Sequence, residues 1–234
     1  MRGKMKEVLT ESAFFGVVIT LLCFQVGLWV KNKTKLAIAN PLLIAVIMIV
    51  SFLLAFDIDY YVYESGARYI SIFLTPATIC LAVPLYRHLL LLKKYPKAIL
   101  GGIAAGVLTA MISIWGMSFL FGLTHEQYVT LLPKSITTAI GIGVSQKMGG
   151  IPTITVVAIS VTGIFGSIAA ETICKLFKIE EPISKGLAIG TSAHALGTTK
   201  AMELGSVEGA MSSLSIVVAG IMTVISVSIF AGLM

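Results

Sequence analysis

The chain has 234 residues, 57% of them hydrophobic and 12% charged, with a formal net charge of +6 and a mean hydropathy of +0.97. A water-soluble domain carries about a quarter charged residues, so a soluble globular fold is excluded. What remains is an all-α polytopic membrane protein in a single transmembrane domain, residues 1–234, whose basic residues set orientation in short loops and are no nucleic-acid signature.

The opening MRGKMKEVLTESAFF places basic residues ahead of an apolar run, as a signal peptide does. The run is too long and no small-residue cleavage site follows it, so a retained first span is expected. Stretches 12–30, 36–56, 98–122, 151–170 and 209–234 lack any charged residue. Each reaches the roughly 18 residues that cross hydrocarbon as a helix. Residues 69–86 make a sixth stretch, interrupted by Pro76 and Pro84. Lys31, Lys33 and Lys35 cluster after the first span, and Arg87, Lys93, Lys94 and Lys97 after the third. Both loops are expected on the cytoplasmic side, with Asp57, Asp59 and Glu64 outside. The N-terminus would then lie outside, against the pull of Arg2, Lys4 and Lys6.

Three segments break the apolar pattern: SIFLTPATICLAVPLYRH (71–88), LLPKSITTAIGIGVSQKMGG (131–150) and GLAIGTSAHALGTTKAMELG (186–205). They crowd small, hydroxyl and ionisable residues into membrane surroundings, where every desolvated polar group needs a partner. Counted with the clean spans, they give about eight crossings or partial crossings. Pro76 is expected to split its span into two half-helices. An internal echo runs through the prolines: Pro76 precedes Pro96, and Pro133 precedes Pro152, so an interrupted segment is twice followed by a Pro-initiated clean span. Broken spans at corresponding places point to a transporter's site.

Half-helix ends at the midplane expose amide N–H groups with a partial positive charge, suited to a small carboxylate. Candidate binding residues are Thr75, Pro76, Thr78, Lys134, Ser135, Thr137, Thr138, Ser192, His194 and Thr198. The hydroxyls would donate, and Lys134 or His194 would neutralise the anion. The competing reading is that each hydroxyl only bonds its own helix, that Lys134 and Lys200 anchor at the interface, and that Glu171 pairs with a neighbouring lysine. Gly102-x-x-x-Gly106 has the spacing for close helix packing. Cys23, Cys80 and Cys174 sit in apolar stretches without metal-ligand spacing. No catalytic pair, metal set or nucleotide loop stands out, so no enzyme activity, cofactor or metal is expected.

The stretches TPATICLAVPLYRH (75–88), 131–150 and GLAIGTSAHALGTTKAMELGSVEGAMSSLS (186–215) resemble the LrgB/CidB family of antiholin-like bacterial membrane proteins, the middle one closer to the CidB side. The resemblance implies a multi-pass protein of the bacterial cell membrane with a small CidA/LrgA-like membrane partner, modulating murein hydrolase activity and cell lysis. It also implies kinship with the plastid glycolate/glycerate translocator and with bacterial pyruvate movement. The implied architecture is an inverted repeat of the cation/proton-antiporter or bile-acid-transporter kind, with crossed broken helices. Eight crossings do not divide simply into inverted halves, so either a segment is re-entrant or the partner completes the fold. The expected function is a secondary transporter or facilitator of small monocarboxylates, working as a homo-oligomer in the bilayer. The alternative is a regulator of autolysis that carries no substrate.

Overall fold

The computed structural model describes residues 12, 14–34, 36, 39–73, 76, 79, 80, 83, 86 and 89–234. Every regular element among them is helical: α1 (Phe15–Thr34), α2 (Pro41–Phe56), α3 (Tyr60–Ser71), α4 (Leu89–Lys94), α5 (Pro96–Phe121), α6 (His125–Leu131), α7 (Thr138–Lys147), α8 (Pro152–Leu176), α9 (Pro182–Leu204) and α10 (Ser206–Phe230), closed by a 3-10 turn, Ala231–Leu233. Four are long and apolar enough to cross a membrane, namely α1, α5, α8 and α10 with its closing turn, while α2 is a shorter apolar helix. The chain divides into two compact units at residue 80.

Local chemistry explains the helix boundaries. Pro stands in the first turn of α2, α5, α8 and α9, where its missing N–H has no intrahelical partner to lose. Asn40 caps α2, its side chain accepting from the amides of Leu42 at 2.9 Å and Leu43 at 3.3 Å. Gly122, at φ 62°, ends α5 in the left-handed conformation a side chain would resist.

In the first unit, α1–α3 enclose Phe15, Ile19, Cys23, Ala45, Ile49 and Ile58. Thr20 Oγ1 shares a hydrogen bond with the Tyr63 hydroxyl at 2.9 Å. Gly27 packs so closely on Pro41 that a Cβ there would stand 2.5 Å from its carbonyl oxygen.

In the second unit, α9 lies among α5, α8 and α10. Gly102 and Gly106 of α5 receive Leu187 and Thr191, which is the close packing their spacing predicts. The register of α9 changes sign along its length. Its first arm, 182–193, runs parallel to α10, with Gly186 against Glu208 and Gly190 against Ser212. Its second arm, 195–204, runs antiparallel, with Met202 against Gly209 and Thr198 against Ser212. Gly197 rests on Ile189, where a Cβ would be 2.9 Å from the Ile189 carbonyl oxygen. Residues eight apart lie about 12 Å apart in a continuous helix, so the chain folds back at His194. Lys185 and Leu204 consequently line one cavity at the α9 ends, beside Cys174 of α8. α9 is a re-entrant hairpin rather than a crossing.

The 125–147 region makes a second hairpin. Pro133 O faces Gly141, and Thr130 and Ser145 both bond Thr155. α7 runs antiparallel to α8, with Ser145 at Thr155 and Gly141 at Ile159.

Candidate functional site

The site is built from two interruptions that converge on the middle of α8. The capping box of Thr124 and Gln127 starts α6, and Pro133, with no N–H to give, breaks it. The chain turns through Lys134 N to Leu131 O at 3.0 Å and Ile136 N to Pro133 O at 3.4 Å. α7 then begins behind Thr137, which adopts N-cap geometry (φ −65°, ψ 146°) but makes no side-chain cap bond. The first amides of α7 therefore keep their donors for something else. They lie at the depth of α8 just beyond Ile159, since Gly141 already packs on the Ile159 side chain.

From the opposite end comes His194, at φ 43°, ψ −135°. A non-glycine residue in such a conformation costs on the order of 1–3 kcal/mol and persists only where its surroundings enforce it. They do so here. His194 is 4% exposed, its Nε2 lies 3.0 Å from the Ile159 carbonyl, and Gly163 makes room for the ring, with a Cβ there standing 2.6 Å from Cε1. As a donor to that carbonyl, Nε2 carries the proton, which leaves Nδ1 with a lone pair. Thr198 Oγ1 accompanies the bend, 3.0 Å from the His194 carbonyl and 2.7 Å from Ser212 Oγ. If Thr198 donates to the carbonyl, Ser212 donates to Thr198. At 1.5 Å per residue the two arms of α9 and the 10-residue α7 are about 15–18 Å long, half of a hydrocarbon core of about 30 Å, while the 7-residue α6 is about 10 Å.

Of the expected binding residues, the structure brings Lys134, Ser135, Thr137, His194 and Thr198 to these two turns. Lys134 and Ser135 are half-buried and joined, Nζ to Oγ, at 3.1 Å. Thr138 opens α7 as an exposed residue. Ser192 is exposed and donates to its own helix at the Ala188 carbonyl, 2.7 Å away. Pro76 is an exposed helical residue in the first unit. Thr75, Thr78 and Pro84 lie outside the described residues. Lys200 pairs with Glu171 at 3.2 Å, and Lys175 with the same carboxylate at 2.8 Å. Thr191 went unmarked in the sequence. It is 7% exposed and its hydroxyl has no hydrogen-bond partner among the described residues, unlike Ser192, Thr198 and Thr199, which bond carbonyls four residues back. Only the packing of its methyl on Gly106 reveals the orientation. Ser212 was also missed, although its place in the SSLS run offered a signal.

Among the described residues no His, Cys, Asp and Glu cluster could hold a metal. The chemistry available is hydrogen-bond donation and positive potential, which suits an anion.

Comparison with known proteins gives a consistent picture. The LrgB-like family profile matches residues 20–233. The antiholin-like protein LrgB of Bacillus subtilis (strain 168) is 37% identical over 225 residues, covering 96% of this chain and 97% of the relative. Those of Bacillus mycoides (strain KBAB4) and Bacillus cereus (strain B4264) are 35% identical over 222 residues, covering 94% of this chain and 96% of each relative. No solved structure matches it. With a profile match over nearly the whole length and four helices able to span a bilayer, this multi-pass membrane protein belongs to the LrgB-like family.

Proposed function

We propose that the protein is a secondary transporter or facilitator of small monocarboxylates of the pyruvate or glycolate kind. The observation that carries this reading is the convergence on Ile159 of two hairpin turns entering from opposite ends of the second unit, one bearing Lys134 and uncapped amides, the other His194. A carboxylate there would accept from the α7 amides and lie near the Lys134 charge, which is what half-helix termini offer an anion. We read 96–147 and 152–204 as inverted repeats, each a Pro-initiated span followed by a hairpin. These repeats use re-entrant hairpins and leave α1–α4 and α10 outside the division, with the proline echo in a different register: span first, interruption second.

Uptake of labelled pyruvate, glycolate and acetate into proteoliposomes tests the reading, with the protein alone and with a CidA/LrgA-like partner. Saturable uptake above empty liposomes is expected; none in either preparation overturns it. A second reading is favoured by the name of the relatives, antiholin-like: a regulator of lysis and murein hydrolase activity acting through the small partner. It predicts complex formation with that partner and no thermal stabilisation by carboxylates.

A further inference from the structure

We propose that the α9 hairpin is the moving gate of this site and opens towards the cytoplasm, while the α6–α7 hairpin stays fixed. The proposal rests on the carrier reading above and assigns the motion within it.

The two hairpins are fastened differently. The α6–α7 hairpin is held by a buried hydroxyl knot. Thr155 Oγ1 lies 2.7 Å from Ser145 Oγ, 2.9 Å from the Thr130 carbonyl and 3.2 Å from the Ile151 carbonyl. Thr130 Oγ1 accepts from the Ile151 amide at 2.8 Å, and Thr130, Ser145 and Thr155 are each at most 1% exposed. Tyr128 ties the same hairpin to α10, donating to the Phe230 carbonyl at 2.8 Å. Moving it would unpair several of these groups together in a medium with no water to replace them.

The α9 hairpin meets its neighbours mainly through close contacts at Gly102, Gly106, Gly163, Gly166, Gly186 and Gly190. Small-residue contacts hold by van der Waals packing at close approach, and parting them leaves no buried polar group unpaired. Two hydrogen bonds to neighbouring helices, His194 to Ile159 and Thr198 to Ser212, lie near the turn. At its ends the fastening is ionic, Lys200 to Glu171, with side chains 23% and 41% exposed, and such pairs hold weakly. The closed arrangement also carries costs of its own: the backbone of His194 and the unpartnered, buried hydroxyl of Thr191. A cavity of about 280 Å³ beside its ends, lined by Cys174, Lys185 and Leu204 among others, gives the arms room to swing.

The direction follows from charge. The α9 ends share a side with the start of α5 and the end of α8, as Gly106 at Thr191 and Glu171 at Lys200 require. That side carries Lys93, Lys94, Lys97, Lys175, Lys178 and Lys185; the loops at the other end, 122–125 and 148–151, lie beside Lys147, His125 and Glu126. Excess lysine marks the cytoplasmic face.

The test uses the full chain with Cys23, Cys80 and Cys174 replaced by alanine. Two cysteine pairs are introduced, Met202→Cys with Gly209→Cys, where a Cβ at Gly209 stands 3.5 Å from the Met202 Cβ, and Thr155→Cys with Ser145→Cys, whose native oxygens are 2.7 Å apart. Oxidation of the first pair is expected to lower pyruvate uptake at least tenfold, on the order of 1.4 kcal/mol or more, with recovery on reduction. Oxidation of the second pair is expected to leave more than half. Uptake that survives the first lock, or is lost with the second, overturns the assignment. Hydrogen exchange of the unmodified protein in nanodiscs gives a readout that needs neither pair to fold. Exchange is expected to be at least tenfold faster across 182–204 than across 125–147; equal or reversed rates overturn the gate whether or not uptake is seen. Absent uptake with the exchange asymmetry intact would remove the carrier reading alone. For direction, a membrane-impermeant maleimide is expected to label Lys185→Cys in inside-out vesicles only, and labelling in right-side-out vesicles overturns the cytoplasmic opening.

Discussion

α8 and α9 are adjacent, both begin at a proline and are nearly equal in length, 25 and 23 residues, yet one crosses the unit and the other turns back halfway. α8 buries a polar side chain only near its start, where Thr155 enters the hydroxyl knot; Ser160, Thr162 and Ser167 in its middle are half-buried, and Glu171 meets two lysines. α9 carries Thr191, His194 and Thr198 in its middle, all buried. A helix whose central side chains demand partners is stable at mid-depth only where other protein surrounds it, and a hairpin turn brings those side chains together. Length is therefore a poor guide to crossing; the two helices differ in whether the polar residues at mid-length are buried.

The comparison breaks most readily at Gly190. Gly190→Leu would drive a side chain into the Ser212 backbone, whose carbonyl oxygen already stands 2.5 Å from a Cβ position. Overpacking of that kind costs about 1–3 kcal/mol or more, and the expected outcome is loss of the monodisperse peak in detergent chromatography. An exposed α8 position such as Phe165 should tolerate Leu unchanged.

His194→Ala removes the imidazole that holds the turn to Ile159. Uptake is expected to fall at least tenfold with near-normal expression; unchanged uptake would place the site elsewhere. Thr198→Val keeps the shape but breaks the link to Ser212, at roughly 1–3 kcal/mol for the hydroxyl left unpaired, read as a lower melting temperature in nanodiscs.

Thr191→Val and Ser192→Ala sharpen the comparison within one helical turn. The first deletes a hydroxyl with no partner, so thermal stability should hold or rise slightly, while carboxylate-induced stabilisation shrinks if that hydroxyl serves the ligand. The second removes a bond between a helix and its own carbonyl and should alter neither. A clear loss of uptake from Ser192→Ala would mean that this face of α9, exposed in the structure, turns inward during transport.

Much of the architecture was legible beforehand. The charge-free stretches located α1, α2, α5, α8 and α10, and Pro133 and the hydroxyl-rich 186–205 segment marked the two interruptions. The turn at His194 was not legible in position, because its backbone is imposed by Gly163 and the Ile159 carbonyl, neighbours some 30 residues away in the chain. For the same reason Ser192 and Thr191 could not be told apart: adjacent hydroxyls differ only in which helix faces them.

What the sequence by itself determined is the membrane class, the helix starts at prolines and the presence of polar residues where lipid admits none. These follow from local composition and backbone chemistry. Tertiary structure alone decided that 182–204 folds back, that two turns enter from opposite ends, and that both converge on Ile159. Packing makes those choices, since glycine contacts and buried hydrogen bonds acquire their meaning only from the surface set against them.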